Sequence, residues 1–392
     1  MADWPIEQFG GKTVLQAAHK PYMDMLARQG RTGMLKTVPD GYTPGSEVAN
    51  MGVLGYDVNK VFEGRGVLEA ANIGVDIRDG EMGMRCNIIC LKDGCIRNHS
   101  AGHITTEEAA RLIDALEKEL GTDRIHFHCG IQYRHLLTLM GGDKRITCTP
   151  PHDVPGQPFM PLLVKADVPE AQATADILND LIIRSQEVLK DHPVNLRRIS
   201  EGKDPANSIW PWSPGYRPRM STLSDIFPFI RRSSVISAVD LIKGIGHYAG
   251  MRVIDVEGAT GLFDTNYGNK AKAAIEALRT DDLVYVHVEA PDEAGHDGNA
   301  ALKLRTVEDL DRRLIGPVYE AVKDWSEPVC FAVLPDHPTP CAHRTHTSDP
   351  IPFLIYRPGM KPDDVTCFDE DACKSGGYGL MCGTDFMTLF IE

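Results

Sequence analysis

Four short apolar runs constrain this chain more than any other feature: RVIDV (252–256), LVYVHV (283–288), VCFAVL (329–334) and PFLIY (352–356). Each is too short for a helix of ordinary length and is followed by a polar loop. Such runs read as buried strands, most simply parallel ones. Upstream, residues 105–121 read as a helix. Thr105 and Glu108 form a capping box, Leu112, Leu116 and Leu120 make one stripe, and Gly121 stops it. A second helix is expected from Pro169 to about Lys190, with Ile177, Leu178, Leu181 and Leu189 on one face. Strands alternating with helical periods predict an α/β protein. The Pro- and Trp-rich stretch at 193–219 reads as a crossing between domains.

With 392 residues the chain is long enough for two domains. No apolar run approaches the ~20 residues that span a bilayer, and MADWPIEQFGG at the start lacks the basic-then-apolar pattern of a secretory signal. The ten cysteines contain no CxxC pair, and the spacing of Cys86, Cys90 and Cys95 fits no common zinc module. Reduced thiols in a cytoplasm are expected. A net charge of −14 argues against nucleic acid or an anionic membrane as partner. An anionic substrate would need local cations or metals to offset that field. Oligomeric state is not readable from the residues.

In open α/β sheets, ligands bind beyond the carboxyl ends of the strands. After LVYVHV comes EAPDEAGHDG, where Asp292 and His296 are four apart and share a face in one helical turn. After VCFAVL comes PDHPTP, with Asp336 and His337 adjacent, and His346 follows in THTSDPIPF. A single Asp and His pair in a loop is commonly turn chemistry. Two pairs at successive strand ends with a third His nearby point to metal. Mixed carboxylate and imidazole suit Mn2+ or Zn2+, and Mg2+ less well. In TPGSEVANMG, Ser46 has two compatible readings: the N-cap of a helix, or a nucleophile at a helix start that suits a phosphate.

Taken together, GSEVANMGVLGYD, GRGVLEAANIG, PDEAGHDG, PDHPTP and THTSDPIPFLIY resemble the cofactor-independent (2,3-bisphosphoglycerate-independent) phosphoglycerate mutases. The likeness is to their archaeal-type subgroup, within the alkaline phosphatase superfamily, and it runs over essentially the whole chain. It implies an alkaline-phosphatase-like core with a mostly parallel sheet flanked by helices (1–77 and 205–392), and an inserted smaller α+β domain (78–204) that closes over the substrate. It implies interconversion of 3-phosphoglycerate and 2-phosphoglycerate through a phosphoserine, with two divalent metal ions and no 2,3-bisphosphoglycerate.

Carried over by position, the resemblance assigns Asp292, His296 and His346 to one metal, and Asp336, His337 and the nucleophile Ser46 to the other. Arg65 in GRG and Arg134 in YRH are candidates to grip substrate carboxylate and phosphate. Lys270 in NYGNK is a weaker phosphate candidate, and Asp153 in PPHDVPG a candidate to orient a glycerate hydroxyl or act as general base. His99, His103, His126 and His128 are read as packing or interdomain residues. Family members carry a strand ending in Asp-Gly just ahead of a segment like MADWP, and that Asp ligates the serine-bound metal. Here MADWP opens the sequence and Asp3 lies too far along to replace it. The resemblance therefore implies either an upstream start or a second site short of one carboxylate, binding its ion more weakly. Two other readings remain at this stage: a sibling phosphotransferase with another acceptor (homoserine-kinase-like), and a non-catalytic homologue.

Overall fold

The computed structural model describes residues 1–392, the side chain of Asn72 excepted. The chain forms two compact units, Met1–Phe62 with Met220–Glu392, and Glu63–Arg219.

The first unit holds two sheets. One has three parallel strands, with Ser233–Ile236 between Arg252–Ile254 and Leu283–Val286. The other has four, in the order Phe331–Val333, Ile351–Tyr356, Arg31–Lys36, Leu380–Cys382. All four apolar runs become strands, but the parallel expectation holds only for the first two. The Phe331 and Ile351 strands pair antiparallel with each other, and the Ile351 strand pairs antiparallel with the Arg31 strand. Parallel neighbours are usually joined by a crossover helix. The connection 334–350 has none and folds as a loop carrying polar residues, so the chain returns antiparallel.

Among the described residues, the Leu283 strand and the Phe331 strand each have one sheet neighbour. Both line a cavity of about 690 Å³ with apolar walls that include Val284, Val286, Leu314, Phe331, Val333 and Phe386. The same cavity reaches Asp292, Asp336 and His337. Among the described residues no helix is long and apolar enough to cross a membrane, and the ten cysteines are all free.

The second unit is α+β. Its long strand Glu81–Lys92 pairs antiparallel with Arg134–Met140 on one side and Ser208–Gly215 on the other. Ile125–Ile131 and Cys95–Asn98 complete the sheet. Side chains alternate along a strand. Met82, Met84, Cys86 and Ile88 therefore face one way, into a core shared with Leu112, Leu116, Leu178 and Ile182. Those four come from the helices Thr106–Leu120 and Gln172–Lys190. The capping box at Thr105 and Glu108 forms as expected. The helix Arg65–Asn72 packs elsewhere, its Val67 and Ala70 clustering with Ile77 and Leu136. Gly66 makes that approach feasible: a Cβ there would lie 2.7 Å from the Ser213 carbonyl oxygen and 2.8 Å from the Arg85 nitrogen.

These contacts move the division of the chain to residues 63 and 219 rather than 78 and 204. The Arg65 helix and the Ser208 strand both pack on the Glu81 strand. The Pro- and Trp-rich stretch holds a helix, Pro193–Ser200, and an edge strand, and the chain passes to the first unit at its end, after Arg219. Pro211 and Pro214 are tolerated because that strand pairs on one side only.

Candidate functional site

Ser46 is the first residue of the helix Ser46–Val53, whose N-cap is Gly45, and its side chain does no capping. The N-cap reading therefore gives way. Its Oγ is 2.9 Å from Asp336 Oδ2 and 3.0 Å from His337 Nε2. Asp336 and His337 follow the Phe331 strand, where the loop turns away. The His337 backbone N–H donates to Asp336 Oδ1 at 3.0 Å. Asn50, one helical turn beyond Ser46, donates from Nδ2 to the Ser46 carbonyl at 2.8 Å and to Asp336 Oδ2 at 3.1 Å. The Tyr285 hydroxyl in turn donates to Asn50 Oδ1. Burial resists ionisation of Asp336, but His337, His287 and the Ser46 hydroxyl hold its carboxyl below the usual range.

Asp292 and His296 lie in the helix Ala290–His296, as their spacing predicts, with Asp292 Oδ2 3.1 Å from His296 Nε2. His346 arrives from the 334–350 loop, its Nε2 3.0 Å from His296 Nε2 and 3.6 Å from Asp292 Oδ2. The outer nitrogens are committed: His296 Nδ1 donates to the Arg344 carbonyl at 3.0 Å, and His346 Nδ1 to the Pro44 carbonyl at 3.2 Å. A carbonyl only accepts, so in the neutral rings both Nε2 atoms turn inward with their lone pairs. Burial disfavours the Asp292 carboxylate, yet His296, His346, His337 and Thr339 hold it well below the usual range. The hydrogen bond to Asp292 holds His296 up at about 9.

This donor set fits metal ions. In the Asp292 group, three inward donors face one another with no intervening proton when both imidazoles are neutral. In the Ser46 group, one hydroxyl proton serves two acceptors. Backbone carbonyls that fix the outer imidazole nitrogens are the usual support of ligating histidines. Asp292, His296 and His346 bring their ligand atoms within 4.8 Å of one another.

Two neighbours, Glu289 and His287, carried no sequence signal, and two others, Lys270 and Asp3, are weighed from the sequence. Glu289 lines the same cavity as Asp336, and burial, then Asp292 and Asp336, push its carboxyl up to about 8. Its Oε2 lies 3.4 Å from His287 Nε2, and burial pulls that imidazole down to about 4. Lys270 is fully buried and donates to the His287 carbonyl at 3.0 Å, and burial pulls its ammonium down to about 8. Asp3 is engaged by Lys303 Nζ at 2.9 Å and by the Cys341 N–H at 3.2 Å.

The remaining candidates belong to the second unit. Arg65 opens its helix, and Arg134 opens its strand with its guanidinium 5.6 Å from the Tyr133 ring centre. Among the described residues neither pairs with a carboxylate. Arg85, which sequence reading missed, lies 4.4 Å over Trp212, and burial, with Arg65 and Arg134 nearby, lowers its guanidinium. Its Nε is 3.0 Å from Glu69 Oε2, an ion pair by distance without an aligned hydrogen bond. Asp153 is exposed, 3.5 Å from His152 Nε2, and the His152 ring packs 5.3 Å from Trp212. His99 packs against Tyr133 at 5.5 Å and His152 at 6.0 Å. The signal for Arg85 was the alternation in MRCNI, which puts Arg85 and Asn87 on the face opposite Met84, Cys86 and Ile88.

A family model described as 2,3-bisphosphoglycerate-independent phosphoglycerate mutase matches residues 27–195. A protein of that name from Methanosarcina mazei is 49% identical over all of this chain and 97% of its own length. A probable one from Geobacter sulfurreducens is 43% identical with the same coverage. Among solved structures, a Pyrococcus horikoshii protein superposes with a TM-score of 0.84 at 30% identity, covering 100% of this chain and 94% of that one. The cofactor-independent phosphoglycerate mutase of Thermoplasma acidophilum gives 0.69 at 26% identity, covering 99% and 95%. The agreement of full-length identity with backbone likeness places the chain in the 2,3-bisphosphoglycerate-independent phosphoglycerate mutase family.

Proposed function

We propose that this chain interconverts 3-phosphoglycerate and 2-phosphoglycerate without 2,3-bisphosphoglycerate, by way of a phosphoserine at Ser46. The observation that carries the reading is the Ser46 hydroxyl, held 2.9 Å from Asp336 and 3.0 Å from His337 at the start of a helix. Full-length identity with proteins of that name supports it. The first unit is read as an alkaline-phosphatase-type metal domain, and the second, inserted one as the unit that binds and encloses the substrate. The protein is read as cytoplasmic.

Divalent ions, with Mn2+ favoured by the mixed ligand set, would be held by Asp292, His296 and His346, and by Asp336, His337 and Ser46. When bound, they supply charge neutralisation and a lowered hydroxyl pKa. The remaining chemistry falls to the protein. Ser46 Oγ loses its proton toward the acceptors beside it and attacks phosphorus. The new Oγ–P bond forms as the substrate O–P bond breaks, and the departing glycerate oxygen takes up a proton. The return transfer uses the other glycerate hydroxyl, breaks the Oγ–P bond and restores the serine. Water has to be kept from the phosphoserine, because hydrolysis there would make the protein a phosphatase, and that role is assigned to the enclosing second unit. Arg65 and Arg134 are assigned to the substrate carboxylate and phosphate, with Arg85 adding positive charge beside them. Asp153 is assigned to proton transfer at the glycerate hydroxyls, and Lys270, fully buried with its ammonium on the His287 carbonyl, is not assigned to the phosphate.

The test is conversion of 3-phosphoglycerate to 2-phosphoglycerate by the full chain with Mn2+ and no bisphosphoglycerate, alongside phosphoryl transfer from ATP to homoserine. Mutase turnover is expected. Transfer to homoserine without mutase turnover, or release of inorganic phosphate alone, would overturn the reading.

A further inference from the structure

Thr339 sits where the two ligand groups meet. Its hydroxyl bonds Asp292 Oδ1, and it lies 3.4 Å from His337 Nδ1. An ionised carboxylate only accepts, so the single Thr339 proton goes to Asp292. The hydroxyl oxygen is then left to accept from His337, whose proton must sit on Nδ1. That leaves the His337 Nε2 lone pair directed at Ser46 Oγ, 3.0 Å away. The other Asp292 oxygen, Oδ2, is left to face His296 at 3.1 Å. The order His337 Nδ1–H to Thr339 to Asp292 is therefore fixed by chemistry and not by choice of rotamer.

The backbone beneath is equally constrained. The fully buried Lys303 ammonium donates to the Thr339 carbonyl at 2.8 Å, and to the Ala2 carbonyl and Asp3 Oδ2 at 2.9 Å each. The helix bearing Asp292 and His296 comes so close that a Cβ at Gly295 would lie 2.4 Å from the Thr339 carbonyl oxygen. Gly295 thus admits the contact, and Lys303 holds it.

We infer that Thr339 is a positioning residue that ties the two metal-ligand groups together, orienting Asp292 in one and setting the His337 tautomer in the other. The inference rests on the two-metal reading above. Hydrogen-bonding partners behind metal ligands typically set ~10 to 100-fold in affinity. One hydroxyl serving both groups should therefore be felt at both.

The experiment titrates metal-free full chain with Mn2+, following free Mn2+ by its EPR signal, for wild type, Thr339→Ser, Thr339→Val and Thr339→Ala. Wild type and Thr339→Ser should take up two ions with similar affinities. Thr339→Val and Thr339→Ala should lose ~10 to 100-fold at both sites. In turnover their kcat should fall more than their KM changes, and Thr339→Ser should restore it. If Thr339→Val fails to fold, Thr339→Ala against Thr339→Ser decides in the same way. Unchanged affinities in the variants lacking the hydroxyl, a loss at one site only, or an equal loss in Thr339→Ser would each overturn the inference. Wild type that takes up no Mn2+ would overturn the metal reading and this inference with it. Two ions in wild type with unaltered variants would overturn the inference alone.

Discussion

His296 and His346 point their Nε2 atoms at each other across 3.0 Å while their Nδ1 atoms are spent on the carbonyls of Arg344 and Pro44. Two lone pairs at that separation need a cation between them or a proton on one. Without metal the proton is supplied by His296, which the bond to Asp292 holds protonated up to about 9. Metal and proton therefore compete. Below that value the ion must displace the proton, so Mn2+ affinity should rise with pH, roughly tenfold per unit for one proton, and level off above it. Titrations from about pH 7 to about pH 10 check this. Affinity that is flat over the range would speak against the Asp292 group as a metal site.

The serine has its own support. Asn50 joins the Ser46 carbonyl to Asp336 Oδ2, and Tyr285 fixes which way the amide points. Asn50→Ala should lower kcat by ~10 to 100-fold with little change in KM, as for other groups that orient ligands. Tyr285→Phe should do the same to a smaller degree. Steady-state kinetics distinguish this from a binding defect, in which KM would carry the change.

Arg65 and Arg134 have no carboxylate partner among the described residues, so their charge is free for an anionic substrate. Arg65→Ala and Arg134→Ala should each raise KM by ~10-fold or more, and the lysine variants should recover only part of it, because an ammonium cannot pair bidentately. Wild-type KM in both alanine variants would remove them from the substrate site.

Stability of the second unit should depend on Arg198. Its side chain is buried, with NH1 2.6 Å from Glu108 Oε2, Nε 2.9 Å from the Asp204 carbonyl and NH2 2.6 Å from the Ala101 carbonyl. Arg198→Ala leaves the Asp204 and Ala101 carbonyls without their donor, while Glu108 keeps Arg197 at 3.3 Å and the Thr105 N–H. A loss of about 1–3 kcal/mol is expected, the cost of buried acceptors left without a donor. Urea unfolding measures it, and a loss below about 1 kcal/mol would place the pair with exposed ones.

What the residues disclosed follows from how local each signal is. The Thr105 cap, the Asp292 and His296 spacing and the four apolar runs are periodicities or fixed offsets, and they appear as read. Strand direction was not legible, because it depends on what the 334–350 loop does in three dimensions. The Ser208 strand was hidden by Pro211 and Pro214, whose presence is explained only by its place at a sheet edge. Asn50 was within reach, four residues from Ser46 on one helix. Thr339, Lys303 and Glu289 were not, since their partners are set by the meeting of segments far apart in the chain.

The central claim is that phosphate passes through Ser46, and trapping that intermediate tests it most directly. Full-length protein with Mn2+ is mixed with isotopically labelled 3-phosphoglycerate, quenched in acid during turnover and mapped by peptide. The account predicts label on Ser46, no label and no mutase turnover in Ser46→Ala, and a fold left intact by that change. Label on any other residue, or turnover that persists in Ser46→Ala, would contradict it.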